Sequence, residues 1–298
     1  MPTNESAMLP IREVSRMTGV NAVTLRAWER RYGLIKPHRT PKGHRLYSDR
    51  NLAQIQSILT WLERGVAVSQ VKELLERPNP SRPMIDSPWQ QAQQDLLNAL
   101  LAFDPIQLEQ IYNHAAAHYP VRTLCTQLLE PLLQQLEQRW QGQFGSQLEQ
   151  VFAHTWLRSK LATRLYHNNC HAHGPRLVLA SLSDQHCEPG LWLLALLLSN
   201  EGYHINLLEW EVPASELGLL CEHNQAQALI MFSSQALPAA QLRRQLPKLS
   251  DHHDTPLFMA GPAALIHGEE LTTLGIQPLA DLPSRAHSRL LSWLQEAV

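Results

Sequence analysis

Four prolines, Pro78, Pro80, Pro83 and Pro88, stand between residues 78 and 88 of this 298-residue chain. Each lacks a backbone N–H, and each ring collides with the preceding turn, so no helix runs through the stretch. We read 78–88 as a linker and the chain as modular. The two sides also differ in charge. Residues 1–77 carry 13 Lys plus Arg against 7 Asp plus Glu, and the remainder 12 against 20. The net charge of -2 therefore hides a basic amino-terminal module joined to an acidic body, and such a basic patch suits a polyanionic partner. The hydrophobic share of 44% is ample for buried cores on both sides.

Within the basic module, Ile11, Val14 and Met17 recur every three residues and predict a helix. Thr18-Gly19-Val20-Asn21 breaks it: Gly19 suits a left-handed turn residue, and Asn21 suits the N-cap of a second helix. That second helix runs through Thr24 to Leu34. Leu25 and Trp28 share one face, while Arg26 and Arg30, four apart, share another. Helix, tight turn and basic helix form a helix-turn-helix, with one side on a small core and the other offered to DNA. The stretch Lys36 to Tyr47 follows, basic and punctuated by two prolines and a glycine. It reads as a wing, a hairpin reaching DNA backbone or minor groove.

The run T-L-R-x-W-E-R-R-Y-G-L, then P-x-R-x-x-x-G-H-R-x-Y, resembles the DNA-binding domain of the MerR family over roughly residues 8 to 76. Residue chemistry places Arg26 and Arg30 near the groove edge and assigns Arg39, Lys42, His44 and Arg45 to the wing. Asn21, Thr24, Arg31 and Tyr32 complete the candidate DNA-contacting set. Helices over Asp49 to Trp61, with Ser48 as N-cap, and over Gln70 to Arg77 finish a domain spanning 8–77. Many MerR-family regulators continue into a long dimerisation helix. The prolines argue against one here, so dimer contacts are expected from later surfaces.

Residues 89–171 are helical in pattern. Leu96, Leu97, Leu100 and Leu101 form one stripe, Asp104-Pro105 opens a second helix, Pro120-Val121 a third, and Ser146 or Gln147 a fourth. Four helices predict a bundle. From 175 to 298 the period alternates. Strands are expected at Arg176–Leu182, His204–Trp210, Ala228–Ser234, Leu257–Ala260 and Gln277–Ala280. Helices are expected between them, with a closing one at Arg285–Ala297. This predicts a doubly wound parallel sheet of five strands, with ligands expected at the strand carboxyl ends. The loops there are Ser183–Pro189, Ser233–Leu237 and Gly261–Ala264. The expected fold class is thus multidomain α and α/β: winged helix-turn-helix, four-helix bundle, doubly wound sheet.

This order resembles the light- and cobalamin-responsive MerR regulators of the CarH/LitR type. The resemblance implies that a loop histidine binds cobalt from below, within the pattern acid, any residue, His, two residues, Gly. It also implies a bundle that caps the upper face through Trp, nine residues, then Glu-His. Here Asp184-Gln185-His186 supplies acid and histidine, but Gly190 comes one residue late. Trp140 matches the bundle tryptophan, but Gln150-Val151 replaces Glu-His. The candidate cofactor set is Trp140, Asp184, His186, Ser234 and Gly261, with His186 as the candidate cobalt ligand. Three readings stand open: a corrinoid held by His186, an inherited fold with another small ligand or none, and a surface for dimer and protein contacts. Activators of curli and biofilm genes resemble the same layout with eroded cobalamin motifs, which adds weight to the second and third readings.

Cys125, Cys170, Cys187 and Cys221 form no CxxC pair, and their spacing fits neither a zinc site nor a disulfide framework. Most of the fifteen histidines are expected at the surface. The longest apolar run, Leu191 to Leu198, is too short to span a membrane, and no secretory signal is read, so a cytoplasmic protein is expected. No nucleophile elbow, P-loop or paired-carboxylate motif is present, so no enzymatic activity is expected. The expected partners are double-stranded promoter DNA, a second copy of the chain and, indirectly, RNA polymerase.

Overall fold

A computed structural model describes residues 8–76, 88–141, 146–251 and 255–296. The proline stretch lies outside these residues except for Pro88, as do Arg77 and Ala297. The chain divides into two compact units, 1–150 and 151–298.

In the first unit, β1 (Leu9–Pro10) leads into α1 (Ile11–Thr18), which Gly19 ends at φ 67° in the left-handed region. Asn21 accepts from the Thr24 amide at 2.9 Å and caps α2 (Ala22–Arg30). The strands β2 (His38–Arg39) and β3 (Arg45–Tyr47) form the wing hairpin. Its turn closes where the Gly43 amide donates to the Thr40 carbonyl, and β3 pairs with β1 on its other edge. Ser48 and Asn51 form a reciprocal capping box at the start of α3 (Asp49–Glu63), and α4 (Val68–Glu76) follows. Val14, Val20, Leu25, Trp28, Tyr47, Ile55, Ile58 and Leu62 make one closed core.

The same unit continues with α5 (Pro88–Leu101) and α6 (Pro105–His118). Asp104 caps α6 through two amides. Next, α7 (Val121–Leu124) passes through a π-helical segment, Cys125–Leu129, into α8 (Glu130–Trp140). The fully buried Trp28 joins the two parts, because its indole N–H donates to the His118 carbonyl at 3.0 Å. The helix-turn-helix and the first bundle helices therefore fall in one compact unit. The fourth helix, α9 (Ser146–Cys170), runs across the division between units.

The second unit holds β4 (Arg176–Ser181), α10 (Pro189–Asn200), β5 (His204–Leu208), α11 (Ala214–Asn224) and β6 (Ala228–Phe232). A π segment, Gln241–Gln245, leads into α12 (Leu246–Asp251) and then β7 (Leu257–Ala260). After it come α13 (Pro262–Ile266), α14 (Gly268–Thr273), β8 (Gln277–Pro278) and α15 (Pro283–Glu296). All five strands are parallel in the order β5-β4-β6-β7-β8. Alternation assigns the faces. Val178, Ala180, Leu229, Met231, Leu257 and Met259 share a core with Leu217 and Cys221 of α11 and Leu246 and Leu249 of α12. Alternate residues such as Phe258, which meets Trp293 of α15 edge-on at 5.0 Å, serve the opposite face. Every residue of α10 from Leu191 to Ser199 is buried. The strand order reverses between β5 and β6 on either side of β4, which is where such sheets open a crevice at their carboxyl ends.

The expected winged helix-turn-helix, helical segment and five-stranded parallel sheet are all present. Four strands end earlier than the pattern predicts, β4 at Ser181 instead of Leu182 among them. β5 stops at Leu208 because Glu209 turns away to other partners, and Trp210 is exposed. β6 stops at Phe232 and β8 at Pro278.

Candidate functional site

On the outer face of α2, Arg26 and Arg30 are exposed, and among the described residues neither has a partner. On the wing, Lys42 and His44 are exposed at the hairpin turn. Glu29, on the same helix, ties wing to helix: its two oxygens accept from Arg39 at 2.6 Å and Arg45 at 2.5 Å. Burial pushes the Glu29 carboxyl up, but the hydrogen bonds from Arg45 and Arg39 outweigh this and hold it below the usual range. The two arginines thus fix the angle between hairpin and helix.

Several residues of the expected contact set have partners within the chain or are buried. Thr24 is fully buried and belongs to the core rather than to the DNA face. Arg45 has a side chain only 12% exposed and is committed to Glu29, because the carboxylate next to it outcompetes solvent. Arg39 shares that carboxylate but remains half exposed. Asn21 uses its side chain as a cap. Arg31 and Tyr32 turn toward His118 of α6.

A cleft of about 490 Å³ lies on the same module, lined by Gly33, Lys36, His38, Arg50, Gln54 and Lys72 among others. Four of these side chains are basic and none is acidic. The sequence reading missed this group because its members come from a loop, the wing and two helices. Their common signal is the excess of Lys and Arg before residue 77.

At the sheet's carboxyl ends, Asp184 and His186 are exposed, and among the described residues neither makes a hydrogen bond. The residue that organises these loops is Glu188, 1% exposed. Its carboxylate accepts from the Ser234 amide at 3.1 Å, from the Ser234 hydroxyl at 3.0 Å and from Ser183. Desolvation dominates and raises its pKa, and the hydrogen bonds offset only part of that. Beside it, the Phe232 ring fills the space over two glycines. A Cβ on Gly190 would stand 2.3 Å from the ring's ζ carbon, and one on Gly261 would stand 3.1 Å from it. Gly261 is at φ 84° and also lies against the Ser233 carbonyl. Of the candidate cofactor set, Ser234 and Gly261 are therefore engaged by this chain's own Glu188 and Phe232.

Just past the end of β5, Glu209 accepts from the Trp192 indole at 3.1 Å and from Arg158 at 2.8 Å. Burial pushes the Cys187 thiol up to about 12 and the Cys221 thiol up to about 11, so neither supplies a ready thiolate. In the first unit, Trp140 ends α8, where Arg139 donates to Glu149 through two nitrogens. Among the described residues no three His, Cys, Asp or Glu side chains gather as a metal site, which leaves His186 as the lone cobalt candidate. The residues present do not fit a corrinoid seated in these loops. The imidazole is there, but the crevice behind it is packed with Phe232 and Glu188.

Among the described residues no helix is long and apolar enough to cross a membrane. Residues 9–77 match the family described as MerR HTH family regulatory protein, and residues 92–164 match the B12 binding domain. The chain is 40% identical over 131 residues to the HTH-type transcriptional regulator MlrA of Salmonella typhimurium, a match covering 44% of this chain and 53% of the relative. The MlrA of Escherichia coli matches to the same extent. The chain therefore spans about half the length of these relatives. It is 28% identical over 280 residues to the HTH-type transcriptional repressor CarH of Myxococcus xanthus, covering 86% of this chain and 90% of the relative. Residues 9–77 thus form a helix-turn-helix module of the MerR type, followed at 92–164 by a segment of the B12-binding class.

Proposed function

We propose that the chain is a sequence-specific transcription regulator that binds a two-fold symmetric promoter site as a dimer in the cytoplasm. Each copy lays α2 in a major groove, with Arg26 and Arg30 toward base edges and phosphates. Lys42 and His44 at the wing tip follow the backbone, and Lys36, Arg50 and Lys72 add phosphate contacts. The observation that carries this reading is the pair of unpartnered arginines on α2 beside a wing braced by Glu29. RNA polymerase is reached indirectly, through the promoter, and no catalytic role is assigned. The parallel-sheet domain acts without a corrinoid at His186, as a partner-contacting or dimerising part, because its crevice is filled from within.

The test is selection of duplexes from a random-sequence pool by the purified full chain, followed by footprinting. An enriched palindromic motif with two protected half-sites supports the reading. A pool that stays unenriched, with binding lost uniformly as salt rises, would leave only non-specific electrostatic attraction.

A further inference from the structure

The carboxyl end of α6 grips the recognition helix at three points, all through one residue. The His118 carbonyl accepts the Trp28 indole N–H at 3.0 Å. Its Nε2 stands 2.6 Å from Arg31 Nη1. Its ring meets the Tyr32 ring edge-on at 5.7 Å. These are three residues from the end of α2 and just beyond it, and His118 itself is 2% exposed.

The chemistry fixes the tautomer. His118 Nδ1 lies 2.6 Å from the His114 carbonyl, which only accepts, so Nδ1 carries the proton. The Nε2 of a neutral imidazole is then an acceptor, and the Arg31 guanidinium donates to it. Adding a proton at Nε2 would set two N–H donors, both positively charged, face to face. The groups that face the imidazole are Arg31 and Tyr32, just beyond α2, and His114 from its own helix. Arg31 and His114 both act against the imidazolium through their charge, and among the described residues no carboxylate is recorded as acting on it.

We propose that His118 is the positioning residue of the recognition helix: neutral, it holds Arg31 and the end of α2 in the DNA-reading geometry, and protonated, it lets them go. The proposal rests on the DNA-binding reading and deepens it, since it makes the helical segment that follows the DNA-binding module a part of the reading head. Desolvation lowers the imidazole's pKa, which keeps the grip closed at neutral pH.

The test uses the full-length protein and a duplex selected by it at neutral pH. Affinity is measured at fixed ionic strength from pH 8 to pH 5.5 for the wild type, His118→Gln and His118→Ala. The Gln amide oxygen replaces Nε2 as acceptor but does not titrate. Wild-type affinity is expected to fall about tenfold on acidification, the size of one lost hydrogen bond to a charged group. His118→Gln should bind nearly as well at neutral pH and lose that fall, and His118→Ala should bind weakly throughout. The three proteins differ only at residue 118, so the comparison removes the pH dependence of every other group. A fall in His118→Gln equal to that of the wild type would overturn the proposal. The Trp28 indole N–H, followed by nitrogen-15 NMR without DNA, gives a second reading: it should shift on acidification in the wild type and stay in place in His118→Gln. A wild-type signal that does not move overturns the proposal even if no duplex is ever selected, an outcome that would count separately against the DNA-binding reading.

Discussion

Arg26 and Glu29 lie three residues apart on α2 and do opposite work. Arg26 has no partner among the described residues and is open to DNA, whereas Glu29 is committed to the wing. Arg26→Ala should therefore cost about 1–3 kcal/mol on the selected duplex and relax preference at one base pair, with the fold intact. Glu29→Ala should instead weaken binding to all duplexes, because Arg45 loses its partner and the hairpin its angle. Titration of both variants against the selected duplex and a scrambled one separates the two effects. Equal losses on both duplexes for Arg26→Ala would place that arginine on phosphate. The spacing of Arg26 and Arg30 was legible in the sequence because it follows from helical periodicity. The role of Glu29 was not, because its partners arrive from ten and sixteen residues away.

Helix ends were the most legible elements. Gly19, Asn21, Ser48 and Asp104 announce their turns and caps because capping is chemistry between residues two or three apart. Trp28 was legible as core from its spacing with Leu25, but its bond to a carbonyl ninety residues away was not. Trp28→Ala removes a fully buried aromatic and leaves a cavity, at a cost of about 3–5 kcal/mol. The melting curve of the amino-terminal unit should collapse, and an unchanged curve would refute the core assignment. The π segments at Cys125–Leu129 and Gln241–Gln245 carry no pattern that periodicity reads. At the start of α10, Glu188 gives a pH prediction with a definite sign. Its folded pKa is raised, so the stability it lends is full below the ordinary carboxyl value near 4.5 and is lost as pH rises through the raised value. Glu188→Gln keeps an acceptor for Ser234 and has no charge to desolvate. Its melting temperature should exceed that of the wild type at pH 8 and converge with it near pH 4.5.

At the scale of the whole molecule, the order of modules was legible because each has its own period: helix-turn-helix, long helices, then alternating strands and helices. The state of the sheet's crevice was not legible. Asp184, His186, Ser234 and Gly261 all occupy the expected loops, yet Phe232, read only as part of a strand, decides whether anything else fits there. The full chain incubated in the dark with adenosylcobalamin and then desalted should retain no visible absorption. Pigment that stays on the wild type and is lost in His186→Ala would show that Phe232 and Glu188 move aside. The packed crevice also bears on how a cell would use such a protein. If no pigment stays bound, the chain completes its own interior, and its maturation should not depend on the supply of a vitamin.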